Sequence, residues 1–534
     1  MDAHRQPGAA ALGSGRTPPV VVVGAGVGGL VAAVALAARG VAVQVLERDG
    51  APGGKLVPRA MAGRLLDAGP TVLTLRAVFD RLFALGGSRL EDHLRLTPLS
   101  VLARHWWPDG STLDLHADPA RTAEAIGRLA GPRAAAQYLD FCARSRQVSE
   151  ALTGPYLEAA RPGLPALLAD GLRRGWPVWH GLWRGAPMGT LWRALGRQFD
   201  DPRLRQLFAR YATYGGSSPL AAPGTLMLIA HVEQCGVWTV DGGLHRLADA
   251  LVALAGRLGV AVCCGAEVSS LRVHDGRVDG VHLADGSVLP AAAVVFNGDA
   301  AALGAGLLGG AAARAVPVRR GGARSLSALT WHLVEPLDGL PLVRHNVVFN
   351  ADYPAEFDDL FRHGRLPRDP TVYLCAQDRG DDGLPAIAER AERLMCLVNA
   401  PAAADGRSLH PEEIARCSRT VFQRLAQQGL RIAQGPPPTP SAVPADWAAR
   451  FPATGGALYG QATHGWRSAF NRPTAHTPLP GLVLAGGSCH PGAGVPMAAL
   501  SGLRAAEAVL VQRAGRTSTW PFRPAVMPGG TSTR

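Results

Sequence analysis

Residues 17–38, TPPVVVVGAGVGGLVAAVALAA, run twenty-two residues without a charge between Arg16 and Arg39. By length and apolar character the stretch could cross a bilayer. Its glycines point elsewhere. Gly24, Gly26 and Gly29 stand in G-x-G-x-x-G register directly after the β-branched run Val20–Val23, and Pro18 and Pro19 discourage a helix from starting further back. Leu30, Ala33, Val34 and Ala37 then recur at helical spacing, Gly40 marks a stop, and a second strand, VAVQVLE, ends at Glu47. The pattern predicts strand, turn, helix and strand, with an acid about twenty residues past the glycines. That is the fingerprint of a dinucleotide site in a Rossmann-like α/β domain.

Each residue has a physical task. Gly24 makes the tight turn, Gly26 lets backbone approach a pyrophosphate, and Gly29 lets helix pack on strand, with Gly28 in the same loop. The phosphate would sit on the positive helix N-terminus. Glu47 would accept from the adenosine ribose hydroxyls, which disfavours NADP. With 65 glycines in 534 residues, roughly one such motif is expected by chance. The chain contains that decoy, Gly304, Gly306 and Gly309, but it lies off the end of its strand and no acid follows it up to Val334.

At 534 residues, with 47% apolar and 18% charged residues, the chain is globular and large enough for two or three domains. Lys and Arg outnumber Asp and Glu by 54 to 42. Such an excess either suits an anionic partner or reflects an Arg-rich composition. The eight cysteines show no C-x-x-C or zinc spacing and read as buried residues of a reducing compartment; no metal site is expected. The first sixteen residues lack an apolar signal core, and they and the last twenty-one read as loose tails.

Past Glu47, RDGAPGGK places Arg48, Gly53, Gly54 and Lys55 beyond the second strand. Paired glycines permit close backbone approach, and Lys55 can offset phosphate charge. GRLLDAGPTVLT then ends an apolar run in a turn, with Gly69, Pro70 and Thr71 able to return toward the same ligand. Near the C-terminus, the buried strand Leu482–Ala485 leads through Gly487 and Ser488 to a helix starting near Val495, Pro496 and Met497. That helix N-terminus would stabilise negative charge. Asp299, after the strand AVVF, reads as a helix N-cap.

The order G-x-G-x-x-G, Glu, G-G-K, D-x-G-P resembles the flavin-binding half of amine oxidases, protoporphyrinogen oxidases and carotenoid desaturases. The resemblance implies FAD as cofactor, with the backbone near Val268 passing over the adenine. From 18 to 512 the chain resembles bacterial carotenoid desaturases of the phytoene-desaturase type. Within that family it stands nearest the 1-hydroxycarotenoid 3,4-desaturase branch, on LFARYATYGGSSPLAAPGTLMLIAHVE, RHNVVFNADYPAEFDDLF, TVYLCAQDR, FPATGGALYG and LAGGSCHPGAGVPMAALSG. The implied substrate is a long acyclic carotenoid with a hydroxyl or methoxyl near one end, and the implied electron acceptor is oxygen or a quinone. Such chemistry needs flavin, alignment and a dry channel, and little acid–base machinery. Tyr211, Tyr214, His464 and His490 are the candidates for the substrate end.

The expected organisation is an FAD-binding domain of amine oxidase/phytoene desaturase type in three pieces, 18–100, 236–315 and 476–513. A helical cap region at 101–235 and a mixed α+β substrate domain at 316–475 interrupt it, between a lead at 1–17 and a tail at 514–534. Between Gly171 and Arg210, eight Arg accompany Trp176, Trp179, Trp183 and Trp192. Trp beside Arg suits a headgroup layer, so this cap is expected to face a membrane. The enzyme would be cytoplasmic, peripheral on the inner membrane, with no nucleic-acid partner. The rivals are a phytoene or diapocarotene desaturase, a flavin amine oxidase, and a non-enzymatic prenyl-binding protein of the Rab escort or GDP-dissociation-inhibitor kind.

Overall fold

Val20–Val23 (β1) is the middle strand of a five-stranded parallel sheet. Its order is Ala261–Cys263, Val43–Leu46 (β2), β1, Ala293–Phe296 and Leu482–Leu484. Val20 pairs with Val43 on one side and Ala293 on the other. Layers cover both faces, so Val20, Val21 and Val22 are wholly buried and the strand reads as an unbroken apolar run. These relations come from a computed structural model describing residues 17–514 apart from 158, 161, 176–187, 317–322, 381–382, 385–389 and 403–405.

The helix Val27–Ala37 (α1) follows β1, and ten of its eleven residues are buried. It is apolar all round because it lies between the sheet and the C-terminal helix Val495–Ala514. The two helices cross closely: a Cβ on Gly502 would stand 2.2 Å from the Gly28 carbonyl oxygen. Among the described residues no helix is long and apolar enough to cross a membrane. The stretch that could have spanned lipid is instead the interior of this α/β domain. The decoy glycines Gly306 and Gly309 turn the chain between the short helices Ala300–Gly304 and Gly310–Ala315.

A second sheet of six strands runs in the order Ser327–Glu335, Glu392–Ala400, Val372–Ala376, His345–Val348, Val101–Trp106 and Thr112–His116. It is antiparallel except where His345–Val348 meets Val101–Trp106. Helices between 119 and 234 pack beside it around an aromatic cluster. Phe208 there has its ring centroid 4.5 Å from Phe141 and 5.1 Å from Phe199. The hairpin Pro58–Met61 (β3) and Arg64–Asp67 (β4) leads from the first sheet to the second.

Of the four tryptophans expected to face lipid, Trp176, Trp179 and Trp183 lie outside the described residues. Trp192 turns inward: the Arg205 guanidinium stacks 3.8 Å from its ring, and Tyr353 lies 6.3 Å away. At this position an aromatic core and a cation–π contact absorb the ring, correcting the lipid-facing expectation.

Candidate active site

The glycine turn divides its labour more sharply than its spacing suggests. Gly24 takes φ +98°, which only glycine adopts without strain, and its N–H donates to the Leu46 carbonyl. A Cβ on Gly29 would come 2.2 Å from the Gly24 oxygen, and one on Gly28 would meet Asn297 Oδ1 at 2.6 Å. Both are packing glycines. Gly26 differs: a Cβ there meets only the Asn297 side-chain amide at 3.0 Å and Gly54 Cα at 3.9 Å. At Gly26 a side chain would therefore press on one side-chain amide and on no backbone atom, unlike at Gly28 and Gly29.

Three segments close on this turn. Gly53 donates to the Ala25 carbonyl, and Gly54, at φ +58°, lies against Gly26. Glu47 Oε2 accepts from the Ala25 N–H at 2.7 Å and Oε1 from Asp49 N–H at 3.0 Å. These bonds fix the carboxylate beside the turn with lone pairs left for further donors. Ala266 donates to the Glu47 carbonyl, which brings the half-buried Val268 beside the end of β2. Arg48 faces another way: its Nη2 donates to the Arg450 carbonyl at 2.5 Å, and Arg450 pairs with Asp49 at 3.0 Å.

Lys55 Nζ donates to the Leu458 carbonyl, and a Cβ on Gly69 would lie 2.0 Å from the Lys55 carbonyl oxygen. Gly69 is therefore required for the Lys55 loop and the 67–71 turn to touch. Thr71 Oγ1 bonds the Tyr373 hydroxyl at 2.8 Å. Ser488 Oγ accepts from Ala300 N–H at 3.1 Å, while Asp299 caps the same helix through Ala301 N–H at 2.9 Å. Gly487 faces open space, and Val495, Pro496 and Met497 line the adjoining cavity.

That cavity has a volume near 910 Å³ and is predominantly apolar. Lys55, Thr71, Tyr459 and Arg472 stand on its wall with the 492–497 segment, and Ile229, Val232, Val347 and Leu397 continue it. It reaches the surface at Leu167 and Met188, the latter 83% exposed.

Of the four residues expected at the substrate end, Tyr214 alone lines the cavity. Tyr211 is 1% exposed behind it, its hydroxyl donating to Glu233 Oε2 at 2.7 Å. His464 accepts from Ser218 N–H at 3.0 Å and stacks edge-on against Phe361. His490 bonds the Ala159 carbonyl through Nε2 at 3.1 Å. Burial pushes both imidazoles down to about 4, so they are neutral packing groups. Burial likewise pushes the Cys489 thiol up to about 12, leaving it protonated.

Two residues that sequence reasoning did not assign to the site complete it. Asp67 accepts from the N–H groups of Leu244 and His245 at 2.6 and 3.1 Å and pairs with His245 Nδ1 at 2.8 Å. It thereby fixes the turn that presents Gly69–Thr71. Arg472 is 6% exposed and donates to the carbonyls of Tyr459, Gln461 and Gly487 at 3.0, 2.9 and 3.3 Å. Burial lowers its pKa while Tyr156, Cys489 and Asp299 oppose that fall.

The donor set tests whether a flavin dinucleotide fits. Among the described residues Lys55 and Arg472 bond carbonyls and form no direct ion pair, and Asp299 is the carboxylate whose field reaches both, so two basic groups share one wall with a single acid near them. Two helix N-termini, at Val27 and Val495, open near Gly26 and the cavity. A diphosphate and an electron-rich ring system are the anionic partners this set accommodates. Among the described residues no group of three or more His, Cys, Asp or Glu could hold a metal ion.

Glu356 lies behind the cavity residues Thr371 and Asn399, and burial raises its carboxyl to about 7 from an ordinary 4.5 against four opposing influences. The folded chain then keeps a proton that the unfolded chain has released, so this contribution to stability falls as pH rises from about 4.5 through 7. The loss is on the order of 3 kcal/mol. Glu356→Gln is expected to remove that slope. Melting curves from pH 5 to 8 check this; parallel curves for the two proteins contradict it.

The sequence matches the flavin containing amine oxidoreductase family over residues 27–510. The chain belongs to that family, and it is an FAD-dependent oxidoreductase. Within it the chain falls among the carotenoid desaturases. It is 50% identical over 520 residues to hydroxyneurosporene desaturase of Rubrivivax gelatinosus, covering 97% of this chain and 98% of that one. The Cereibacter sphaeroides hydroxyneurosporene desaturase is 47% identical, covering 94% and 99%. The 4,4'-diapolycopene oxygenase of a Methylomonas species is 32% identical, covering 90% and 96%. Among solved structures, putrescine oxidase bound to putrescine superposes with a TM-score of 0.58 at 13% identity, covering 92% of this chain and 99% of that one. Cyclohexylamine oxidase of Brevibacterium oxydans superposes at 0.56 and 14%, covering 94% and 100%. At such identities these two structures speak to the fold.

Proposed function

We propose that the chain is a desaturase that inserts a C3–C4 double bond into acyclic carotenoids bearing a hydroxyl or methoxyl at C1. The observation that carries this reading is the cavity: near 910 Å³, mostly apolar, running from the cofactor loops to a mouth at Leu167 and Met188. That volume is at the upper end for ligand sites and suits a long polyene. The names of the most similar relatives supply the substrate class.

FAD, when bound, would supply the two-electron oxidant for a desaturation in which a hydride leaves one carbon of the pair and a proton its neighbour. The chain's own residues orient and enclose. Lys55 and Arg472 hold positive charge at the cofactor wall, the 495–514 helix presents its N-terminus there, and apolar residues exclude water from the alkyl chain. Oxygen or a quinone then receives the electrons. Incubation with hydroxyneurosporene and neurosporene, followed by product analysis, tests the reading. A red-shifted product with one more double bond is expected from the oxygenated substrate, and its absence refutes the reading.

Membrane docking is part of the same proposal. Leu168, Leu172 and Met188 are 51%, 82% and 83% exposed near the cavity mouth, and the chain carries a formal charge of +12. Apolar side chains at a mouth that must receive a lipid-soluble substrate are well placed for the bilayer interface. The double variant Leu172→Asp/Met188→Asp is expected to lose at least about tenfold in binding to anionic vesicles in a sedimentation assay, since two negative charges replace two exposed apolar side chains on the face proposed to enter the interface. Equal sedimentation of both proteins contradicts docking through this face.

A further inference from the structure

Resting on the substrate class just proposed, we infer that Arg210 reads the C1 oxygen of the substrate by donating a hydrogen bond to it, with Tyr214 and Glu233 holding the guanidinium in place. Among the described residues three charged side chains line the cavity: Lys55, Arg472 and Arg210. The first two belong to the cofactor wall. Arg210 makes its side-chain hydrogen bond to Tyr214, away from the cofactor loops, and among the described residues no acid lines the cavity.

Its charge is balanced from behind. Arg210 Nη1 donates to the Tyr214 hydroxyl at 2.8 Å, and that hydroxyl donates to Glu233 Oε1 at 2.7 Å. Tyr211 donates to the other carboxylate oxygen at 2.7 Å. Glu233 is 5% exposed and does not line the cavity. The guanidinium carbon also sits 5.0 Å from the Tyr214 ring centroid and 5.9 Å from that of Tyr211. The side chain is thereby anchored through one nitrogen and two aromatic faces. Among the described residues Nε and Nη2 make no hydrogen bond, and Nε is buried without a partner. An arginine held in this way in an apolar cavity retains donor capacity for a ligand.

The position agrees with the reaction. C3 and C4 lie two and three bonds from C1, so whatever reads the C1 oxygen must stand close to the flavin. Arg210, Tyr214 and Tyr373 all line the cavity, and Tyr373 bonds Thr71 at 2.8 Å in the turn that reaches the cofactor wall. The Arg210 cluster thus shares the cavity wall with the residues of that turn.

Donor chemistry makes a distinctive demand. Arginine has no acceptor, so it bonds an ether oxygen as readily as an alcohol. A hydroxyl and a methoxyl at C1 should be accepted alike, whereas a hydrocarbon end leaves the guanidinium N–H desolvated and unpaired. A hydrogen bond to a charged group of this kind corresponds to roughly a tenfold to hundredfold preference.

The test uses FAD-loaded enzyme reduced with dithionite, so that binding is measured without turnover. Dissociation constants for hydroxyneurosporene, its methyl ether and neurosporene are read from quenching of tryptophan fluorescence, Trp447 and Trp466 being in the cavity wall. For the wild type, the two oxygenated carotenoids should bind within about threefold of each other and at least about tenfold tighter than neurosporene. In Arg210→Met/Glu233→Gln, which removes both buried charges together, that preference should fall to about one. In Tyr214→Phe, which keeps the charge but removes its anchor, it should narrow severalfold. An undiminished preference in both variants, or a methyl ether that binds like the hydrocarbon, overturns the assignment of Arg210 while leaving the desaturase reading intact. Wild-type enzyme that binds none of the three overturns both.

Discussion

Gly26→Ala is expected to give a folded protein that purifies without its yellow colour. Gly26 has φ −73° and ψ 173°, a conformation alanine adopts freely, and the new Cβ would meet only the Asn297 side-chain amide and Gly54 Cα. A shift of a few tenths of an ångström in the Asn297 amide would admit the methyl group, which would then occupy the side of the turn where a diphosphate is proposed to approach. FAD affinity should fall about a hundredfold, or about 2.7 kcal/mol, with far-ultraviolet circular dichroism unchanged. Melting temperature should then no longer rise when FAD is added at concentrations that stabilise the wild type. Gly29→Ala provides the contrast. Its Cβ would lie 2.2 Å from a backbone oxygen, so loss of folding is expected along with loss of flavin. A Gly26→Ala protein that retains stoichiometric flavin would contradict the placement of the diphosphate.

Asp378→Ala should be the most damaging single change outside the cofactor turn. The Asp378 side chain is 1% exposed and accepts from Arg64 Nη2 at 2.9 Å, from Arg393 Nη2 at 2.6 Å and from the Arg393 backbone N–H at 2.8 Å. Beside it, Gln377 bonds the Asp67 backbone in both directions, each at 2.9 Å. Together these residues stitch β4 to the second sheet immediately before the 67–71 turn. Removing the carboxylate leaves two largely buried guanidiniums without their shared anion, a change that costs about 3–5 kcal/mol. Thermal melting checks this, and flavin release should begin at a lower temperature because the turn loses its support. Asp378→Asn, which keeps the shape and part of the hydrogen bonding, should lose less. Equal melting temperatures for wild type and Asp378→Ala would show that the second sheet does not hold the turn.

The strand, glycine turn and helix of residues 20–37 were legible in the sequence because their parts are local. β1, the glycines, α1 and Glu47 fall within about thirty residues, and each has a residue type that only one backbone arrangement uses well. The clamp at Asp67, Gln377 and Asp378 was not legible, since its partners lie 310 residues apart and nothing in Asp67-Ala68-Gly69-Pro70 signals them. The substrate end shows a similar limit. Tyr211 and Tyr214 are three apart and both hydroxyls donate to Glu233, one to each carboxylate oxygen, yet of the two only Tyr214 lines the cavity. Nothing in the local sequence marks that distant carboxylate, whose position depends on how Leu228–Gln234 packs. His490 follows a glycine-rich turn that invites a functional reading, but the Ala159 carbonyl, distant in sequence, captures its ring. Trp192 likewise carries no mark that Arg205 stacks on it.

The central claim is most directly tested by a single anaerobic turnover. FAD-loaded enzyme is mixed with hydroxyneurosporene without an acceptor, and flavin absorbance is followed together with that of the polyene. The account predicts loss of one oxidised flavin for each new double bond, a red-shifted carotenoid product, and much slower bleaching with neurosporene. Oxidised flavin that persists in the presence of hydroxyneurosporene, with no change in the polyene spectrum, would contradict it.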